Sequence, residues 1–568
     1  MVSVAVVVAV LVTVLANLLA DRKFVRVDLT KEGRYSLSEP FERILSRLED
    51  PATITYYIST QVPGWFEQTK RDILDKLREV ETAARGKIKL EVIDPTDNKE
   101  LVERLTKQGA QHQVQDTQKD SVSVMRLFTS VELTYQDKPK ALINPIRAAE
   151  EIEYQLGSKI LELTTKKKPI LAVMAPPAPP QNPMMGQRGP QGSGYEWIWM
   201  NQSDWDDGMK FDVRNIDLTE GNTIPDGASL LILIRPKELN ERQRFEVIKY
   251  LAGGGNVLLM ASPFKIAHEF GWNAEKATTN LEDYLKEVGA TYGADFVLDN
   301  SNVRMAYGLD LRTGKVLTAK LPLFVRVLAE NVNQESVLTR LMPGLIMPTP
   351  AEIKLQGETL KKHGLTETIL AKSSKQSWSA SYTEAVDIER FSRYDEEKQI
   401  YEGPKNVFVM LEGQFPFPYE GKAVPDWKKL PEAQPANAKP PEQASVSKKP
   451  GRLILCSAPE AFHMMYLSNQ ELAHIMSANP KLLINIAESV SLGEDLIAIR
   501  SKRYETRTID KLAGADNDAK RNAVKMALII GIPMLVIAFG LIRAALRRDS
   551  QTRYERRFAA SGPSSFTS

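Results

Sequence analysis

The chain has 568 residues, with 74 Lys and Arg against 72 Asp and Glu, a formal charge of +2. So even a balance gives no pull toward nucleic acid, and a single cysteine, Cys456, excludes an internal disulfide framework. No GxxxxGK[ST], HExxH or CxxC occurs, and His112, His268, His363, His463 and His474 are scattered, so neither a phosphate loop nor a metal site is indicated.

The chain opens on an apolar stretch, Val2–Ala20, and carries a second at Met526–Ile542 between Lys525 and Arg543. Each is close to the roughly 20 residues a helix needs to cross a bilayer. Residues 1–20 and 523–546 are therefore expected to be membrane-spanning helices. The first lacks a basic n-region, exceeds the usual 7–15 apolar residues of a signal peptide, and ends poorly for cleavage at Leu18 and Ala20, so an anchor is expected. Pro533, Gly531 and Gly540 in the second are tolerable in a membrane helix. Gly531, Ala538 and Gly540 would let a partner helix approach closely, with simple anchoring the alternative. The tail at 547–568 is basic: Arg547, Arg548, Arg553, Arg556 and Arg557 follow Arg543, against Asp549 and Glu555. Arg22, Lys23 and Arg26 point weakly the other way. The positive-inside rule then puts both termini in the cytoplasm and the large body outside it, in a two-pass protein of the inner membrane.

After a linker at 21–50, with a helix at Pro40–Leu48 capped by Ser38, the body begins. Ala52–Ile58 alternates and is β-branched, which predicts a strand. Apolar residues at Ile73, Leu74, Leu77, Val80 and Ala84 predict a helix over Thr69–Ala84. A strand at Lys87–Ile93, a helix at Lys99–Gln108, a hairpin from Ser121–Tyr135 and Lys138–Ile143, and a helix at Ile146–Thr164 complete residues 51–165. That order is the order of a thioredoxin-like domain, here without the redox CxxC.

Residues 166–290 form a second α/β unit. Strands are expected at Pro169–Met174, Phe211–Ile216, Ser229–Ile234 and Asn256–Met260, with helices at Asn240–Leu251 and Leu281–Val288. The Pro- and Gly-rich run Ala175–Gly194 reads as an exposed flexible loop. Tyr195, Trp197 and Trp199 then begin a helix or offer an interaction edge. Gly253, Gly254 and Gly255 follow a helix and precede a strand, the wrong order for a dinucleotide fingerprint, and read as a helix stop.

Residues 291–422 read as a β-rich continuation, with strands around Phe296–Leu298, Leu323–Val327, Glu367–Ala371 and Val407–Leu411. Residues 423–450 are rich in Pro, Ala, Lys and Gln and are expected to be disordered. Order returns over 451–500, with a strand at Arg452–Cys456, a helix at Leu482–Ser489 and a short strand at Leu496–Arg500. Cys456 reads as a buried structural thiol. A polar juxtamembrane segment, 501–522, precedes the second span.

Several short motifs, in this order and between two spans, resemble the GldG family, membrane-tethered accessory subunits of ABC transporters named for gliding-motility systems. They are Arg26–Thr30 with Arg34–Ser38, Pro51–Ile58, Glu153-Tyr154 ahead of Thr164-Thr165, and Leu231–Pro236 with Leu251–Leu259. Lys372-Ser373-Ser374 with Ser377-Trp378 and Leu496–Arg500 complete the set. The resemblance implies an extracytoplasmic body that serves an ABC permease and its ATPase, in export, by binding substrate or partner. It also implies that the second unit is flavodoxin- or amidotransferase-like, the domain shared with intraflagellar-transport proteins. Amidotransferase chemistry needs a cysteine at a strand-to-helix elbow, and that strand ends Met260-Ala261-Ser262-Pro263. Ser262 with His268 is the nearest pair, outside any GxSxG pattern. No residue is assigned a catalytic, cofactor-binding or metal-ligating role, and no cofactor is expected. The competing reading is an envelope scaffold without an ABC partner, for which exposed aromatics at Tyr195–Trp199 and Phe415–Tyr419 would be suited.

Overall fold

The computed structural model describes residues 37–500 apart from 119–120, 166, 178–192, 201–210, 268–272, 311–314, 341, 387–390, 428–441 and 465–477, together with 534, 538–542, 545–546 and 552–553. The expected span at 1–20 lies outside the described residues, as does most of 523–546, whose described positions are helical. No helix among the described residues is long and apolar enough to cross a membrane. The chain separates into two units, Met1–Arg503 and Tyr504–Ser568, and the first is described here.

It starts with helix α1 (Glu39–Ser46), capped by Ser38, whose hydroxyl accepts the Phe41 N–H at 3.4 Å. Phe41, Ile44 and Leu45 fall at helical spacing and are buried. Then come β1 (Ala52–Ile58), α2 (Glu67–Ala83), β2 (Ile88–Ile93), α3 (Lys99–Lys107), β3 (Gln111–Gln118), β4 (Ser121–Tyr135), β5 (Ala141–Ile143) and α4 (Ile152–Thr164). β1 pairs in parallel with β2, from Ala52↔Ile88 to Tyr57↔Ile93, and antiparallel with β4 on its other side. The expected hairpin forms as β4 and β5. β3 was not expected: it pairs with the first half of β4, although its sequence, QHQVQDTQ, carries little β-branched or apolar signal. The helix expected from Ile146 starts later, because the Ile146 backbone is bonded across to Thr129, N–H to carbonyl at 3.0 Å. Phe41, Ile54, Tyr56, Ile73, Leu77, Leu133, Leu156 and Ile160 share one core on the α1–α2–α4 face.

The second region runs β6 (Ile170–Met174), α5 (Trp197–Met200), β7 (Asp212–Asn215), β8 (Ala228–Ile234), α6 (Glu241–Ala252), β9 (Asn256–Met260), β10 (Phe264–Ala267), β11 (Asn273–Lys276) and α7 (Glu282–Glu287). It continues through β12 (Ala290–Asp299), β13 (Asn302–Asp310), β14 (Lys315–Leu328), β15 (Gly344–Pro348), β16 (Ala351–Leu355), α8 (Gly357–His363), β17 (Thr366–Lys372), β18 (Ser377–Ala380) and β19 (Asn406–Gly413). β20 (Gly451–Cys456), α9 (Ala478–Ser491) and α10 (Asp495–Arg500) close it. Its centre is a seven-stranded sheet in the order β17-β19-β20-β9-β8-β6-β7. β7, β6, β8, β9 and β20 are parallel, and β19 and β17 run against them. The apolar runs Leu230–Ile234 and Val257–Met260 are buried throughout, as expected of parallel strands covered on both faces. β20, which comes almost 200 residues after β9 in the chain, is its direct neighbour in the sheet. The triple glycine does end α6: Gly253 caps it and Gly254 has φ +96°.

Two expectations fail. Leu496–Arg500 is helix α10, not a strand. As a helix it places Leu496 and Ile499, three residues apart, in the core beside Phe41 and Ile44, while Ile497 joins the core of the central sheet. The segment expected to be disordered is ordered at both flanks: Ala423 bridges Gln443, the Val424 N–H bonds the Glu442 carbonyl at 2.9 Å, and Ala444 is buried. Its middle, 428–441, lies outside the described residues.

Candidate functional site

In open α/β sheets, ligands and partners meet the carboxyl ends of strands where neighbouring connections diverge. Here that point lies between β6 and β8. The chain leaves β6 toward β7 on one side, and leaves β8 toward β9 on the other. Four strand ends line up there. The Arg235 N–H bonds the Met260 carbonyl at 2.8 Å, and the Ala261 N–H bonds the Cys456 carbonyl at 3.0 Å.

The space above these ends is filled by the chain itself. Tyr195 and Ile198 are buried against a 3-10 turn at Pro459–Phe462 that follows β20. The Trp197 indole N–H donates to the Phe462 carbonyl at 2.8 Å, and the Tyr195 hydroxyl to the Pro459 carbonyl at 3.4 Å. The Tyr195 ring meets His463 edge-on at 5.0 Å between centroids. Gly194, at φ +85°, lies under that imidazole so closely that a Cβ would fall 2.0 Å from Nε2. The Glu196 carboxylate accepts the N–H groups of Ser193 and Gly194, which fixes the approach to Tyr195.

Arg235 stands at φ +45°, a conformation a non-glycine residue rarely adopts, and its guanidinium is ion-paired with Glu460. Their side chains are 12% and 9% exposed, so the pair is sealed from bulk water and each charge is spent on the other. Burial pushes the Tyr195 hydroxyl up, with Arg235 opposing it. Burial likewise pushes the Cys456 thiol up to about 12, and its S–H points at the Ala458 carbonyl at 3.6 Å. Such a thiol is a packing element, not a nucleophile at neutral pH.

The residues singled out from sequence are mostly dispersed. Ser262 is buried, just past β9, with no hydrogen-bond partner among the described residues. His268 and His474 lie outside the described residues. His112 sits in the N-terminal sheet, 2.7 Å from Asn144 Oδ1, and His363 ends α8. The aromatics offered as an exposed interaction edge are not exposed: Tyr195, Trp197, Phe415 and Phe417 are buried, because each fills a core of the central sheet. Arg235 and Glu460 were missed. The one available signal was a charge directly after the apolar run SLLILI. No group of His, Cys, Asp or Glu among the described residues could hold a metal ion.

Residues 178–486, more than half of the chain, match the auxiliary family described as "ABC-type uncharacterized transport system". The chain belongs to that family. It is thereby an accessory component of an ABC transport system. The match takes in β8, β9, β20 and the whole Arg235–Glu460 site. Residues 31–134, covering α1 to most of β4, match a second family described as a domain of unknown function. An uncharacterized protein of Borreliella burgdorferi is 20% identical over 548 residues, covering 92% of this chain and 94% of its own length. Among solved structures, a thua-like protein of Bacteroides uniformis is 10% identical, over 57% of this chain and 93% of its own, at a TM-score of 0.28. An exo-beta-1,4-mannosidase of Opitutaceae bacterium strain TAV5 is 9% identical, over 80% and 54%, at 0.24. Both scores are too low to carry an argument about fold or activity.

Proposed function

We propose that this protein is a non-catalytic, GldG-type accessory subunit of an ABC exporter, anchored in the inner membrane by its two terminal apolar stretches. Its body lies outside the cytoplasm and binds substrate or partner for an ABC permease and ATPase. The match to the auxiliary family over 178–486 carries the reading. The apolar stretches Val2–Ala20 and Met526–Ile542, with the arginine-rich tail after the second, support the tether and its orientation. A tether at both ends raises the body's effective concentration at a membrane partner.

A non-catalytic role is supported by the state of the site. Arg235 and Glu460 neutralise each other, Tyr195 is bonded to backbone, and the Cys456 thiol is buried and protonated. The N-terminal sheet order β2-β1-β4-β5, with α2 and α4 on one face, supports a thioredoxin-like assignment. The parallel sheet with divergent connections supports a flavodoxin- or amidotransferase-like one.

The test is gentle detergent extraction of the tagged protein from its host, followed by mass spectrometry. An ABC permease and ATPase in near-stoichiometric amounts is the expected result. Their absence, with another envelope protein recovered in their place, would replace this reading with the scaffold.

A further inference from the structure

Trp65, Val92, Ile400 and Met464 are the large apolar side chains left exposed among the described residues up to Arg500, and the first two lie at one corner of the N-terminal sheet. Trp65 is 60% exposed on the loop from β1 to α2, and Val92 is 49% exposed one residue before the end of β2. Ile88 and Leu90 pack into the core on the α2 face, and the two-residue period of a strand puts Val92 on that same side. α2 packs on β2 and starts where β1 ends, so both side chains stand at its first turn.

The loop carrying Trp65 is firmly held. The Thr60 N–H donates to Asp94 Oδ2 at 2.6 Å, and Lys70 Nζ donates to the carbonyls of Ser59 and Thr60 at 3.0 and 2.8 Å. The Phe66 N–H reaches the Pro63 carbonyl at 2.8 Å, and the Phe66 ring is buried and meets Trp65 edge-on at 5.5 Å. A tryptophan on so fixed a loop has little freedom left to lose on binding, which is the condition of an interface anchor.

β2 is also the edge of its sheet. The Leu90 N–H donates to Glu81 Oε1 at 2.8 Å, so it faces away from β1, and Val92, two residues on, presents its N–H and carbonyl the same way. Glu81 blocks the edge at Leu90, and the edge is open at Val92. An open strand edge beside an exposed apolar residue is the docking geometry of an extended peptide, whose backbone bonds to the edge while one side chain meets the apolar group. Glu67, Asp94 and Asp97 make this corner acidic: Lys70 is turned onto carbonyls, Lys89 is paired with Glu91 at 2.8 Å, Lys99 and Glu100 open α3 together, and Arg71 stands one turn along α2.

We infer that Trp65, the outer edge of β2 at Val92 and the neighbouring Asp94 form a docking site for an extended segment of a partner protein in the transport system. That segment carries an apolar side chain with adjoining Lys or Arg residues. The inference deepens the accessory-subunit reading above and rests on it.

The experiment uses the full chain in its host, with photoreactive p-benzoylphenylalanine replacing Trp65 or, as a control, replacing Ile400, which is 82% exposed and away from this sheet. After irradiation and gentle detergent extraction, the crosslinked peptides are sequenced. A crosslink from position 65 into a transport subunit is expected, in a peptide with an apolar residue beside Lys or Arg, and none from position 400. Trp65→Glu should lower recovery of that subunit at least about tenfold, as loss of a central aromatic anchor does. Its melting temperature should match wild type, because the side chain is exposed. Val92→Pro should also lose the partner, because it removes an outward N–H and leaves the ladder to β1 whole. Full recovery with Val92→Pro would overturn the pairing at the strand edge. Unchanged recovery with Trp65→Glu, and no crosslink from position 65, overturns the inference and leaves the accessory-subunit reading standing. Wild-type protein that brings down no transport subunit overturns both.

Discussion

Arg43 and Asp495 lie 452 residues apart in sequence and pair at 2.8 Å, joining α1 to α10. Arg47 adds a second contact to the same carboxylate at 3.4 Å. The arginines are half exposed, so water and salt screen the attraction, and such pairs contribute about 0.2–1 kcal/mol each. Asp495→Lys turns two attractions into repulsions and should destabilise the protein by about 1–2 kcal/mol. Thermal denaturation in low and high salt checks this. The loss should shrink in high salt, and Asp495→Arg combined with Arg43→Glu should recover part of it. A loss that salt leaves unchanged would assign the effect to packing of Leu496 and Ile499.

A buried pair behaves differently. Lys76 and Glu153 are buried at 2.8 Å, and Glu153 also takes both donors of Ser38. Removing one partner of a buried pair costs about 3–5 kcal/mol, and although Glu79, 3.5 Å from Lys76 Nζ, keeps part of the compensation, the loss should stay well above that of the exposed pair. Glu153→Ala should therefore lower the urea midpoint far more than Asp495→Lys does, and Lys76→Met with Glu153→Leu should restore much of it. If the double replacement is no better than the single, the loss belongs to the uncapped start of α1.

Much of this architecture was readable as local pattern. The strand Ala52–Ile58, the buried runs at β8 and β9, and the cap at Ser38 follow from alternation, apolar content and side-chain chemistry within a few residues. What was not readable depends on distant partners. β3 has a polar sequence and forms because β4 offers it an edge. Leu496–Arg500 has the composition of a strand but finds two cores instead of a sheet edge. The candidate site fails to show in the sequence for the same reason. Arg235 follows β8 and Glu460 follows β20, and only the insertion of β20 beside β9 brings these two strand ends together.

Cys456 should behave as a reporter of unfolding. It is fully buried at the end of β20, and burial pushes its thiol up to about 12. The thiolate, which is the reactive form, is absent from the folded protein at neutral pH. An aromatic disulfide reagent should thus give no signal under native conditions and one thiol per chain in denaturant. At pH 9, where an ordinary exposed thiol is already mostly thiolate, the native reaction should still be far slower than that of the denatured chain. Rapid native labelling would mean that β20 opens locally, contrary to its place at the centre of the sheet.

Asp94 gives the pH dependence. It follows β2, and although burial pushes its carboxyl up, hydrogen bonds win: the Thr60 N–H reaches Oδ2 at 2.6 Å, and the Thr96 hydroxyl and N–H reach Oδ1 at 2.5 and 2.9 Å. The folded value falls to about 2, below the ordinary 3.8. A depressed carboxyl adds stability that is present above its unfolded value and is lost as the pH falls toward the folded one. The group is partly exposed, so after screening the contribution is about 1 kcal/mol. Wild type should therefore exceed Asp94→Asn in stability by about that amount at pH 6, and the gap should close between pH 4 and pH 2. Denaturant melts of both proteins across that range decide it. A gap that stays constant with pH would mean that the neutral amide replaces the carboxylate poorly for geometric reasons, and that the charge on Asp94 contributes nothing to holding the β1 and β2 loops together.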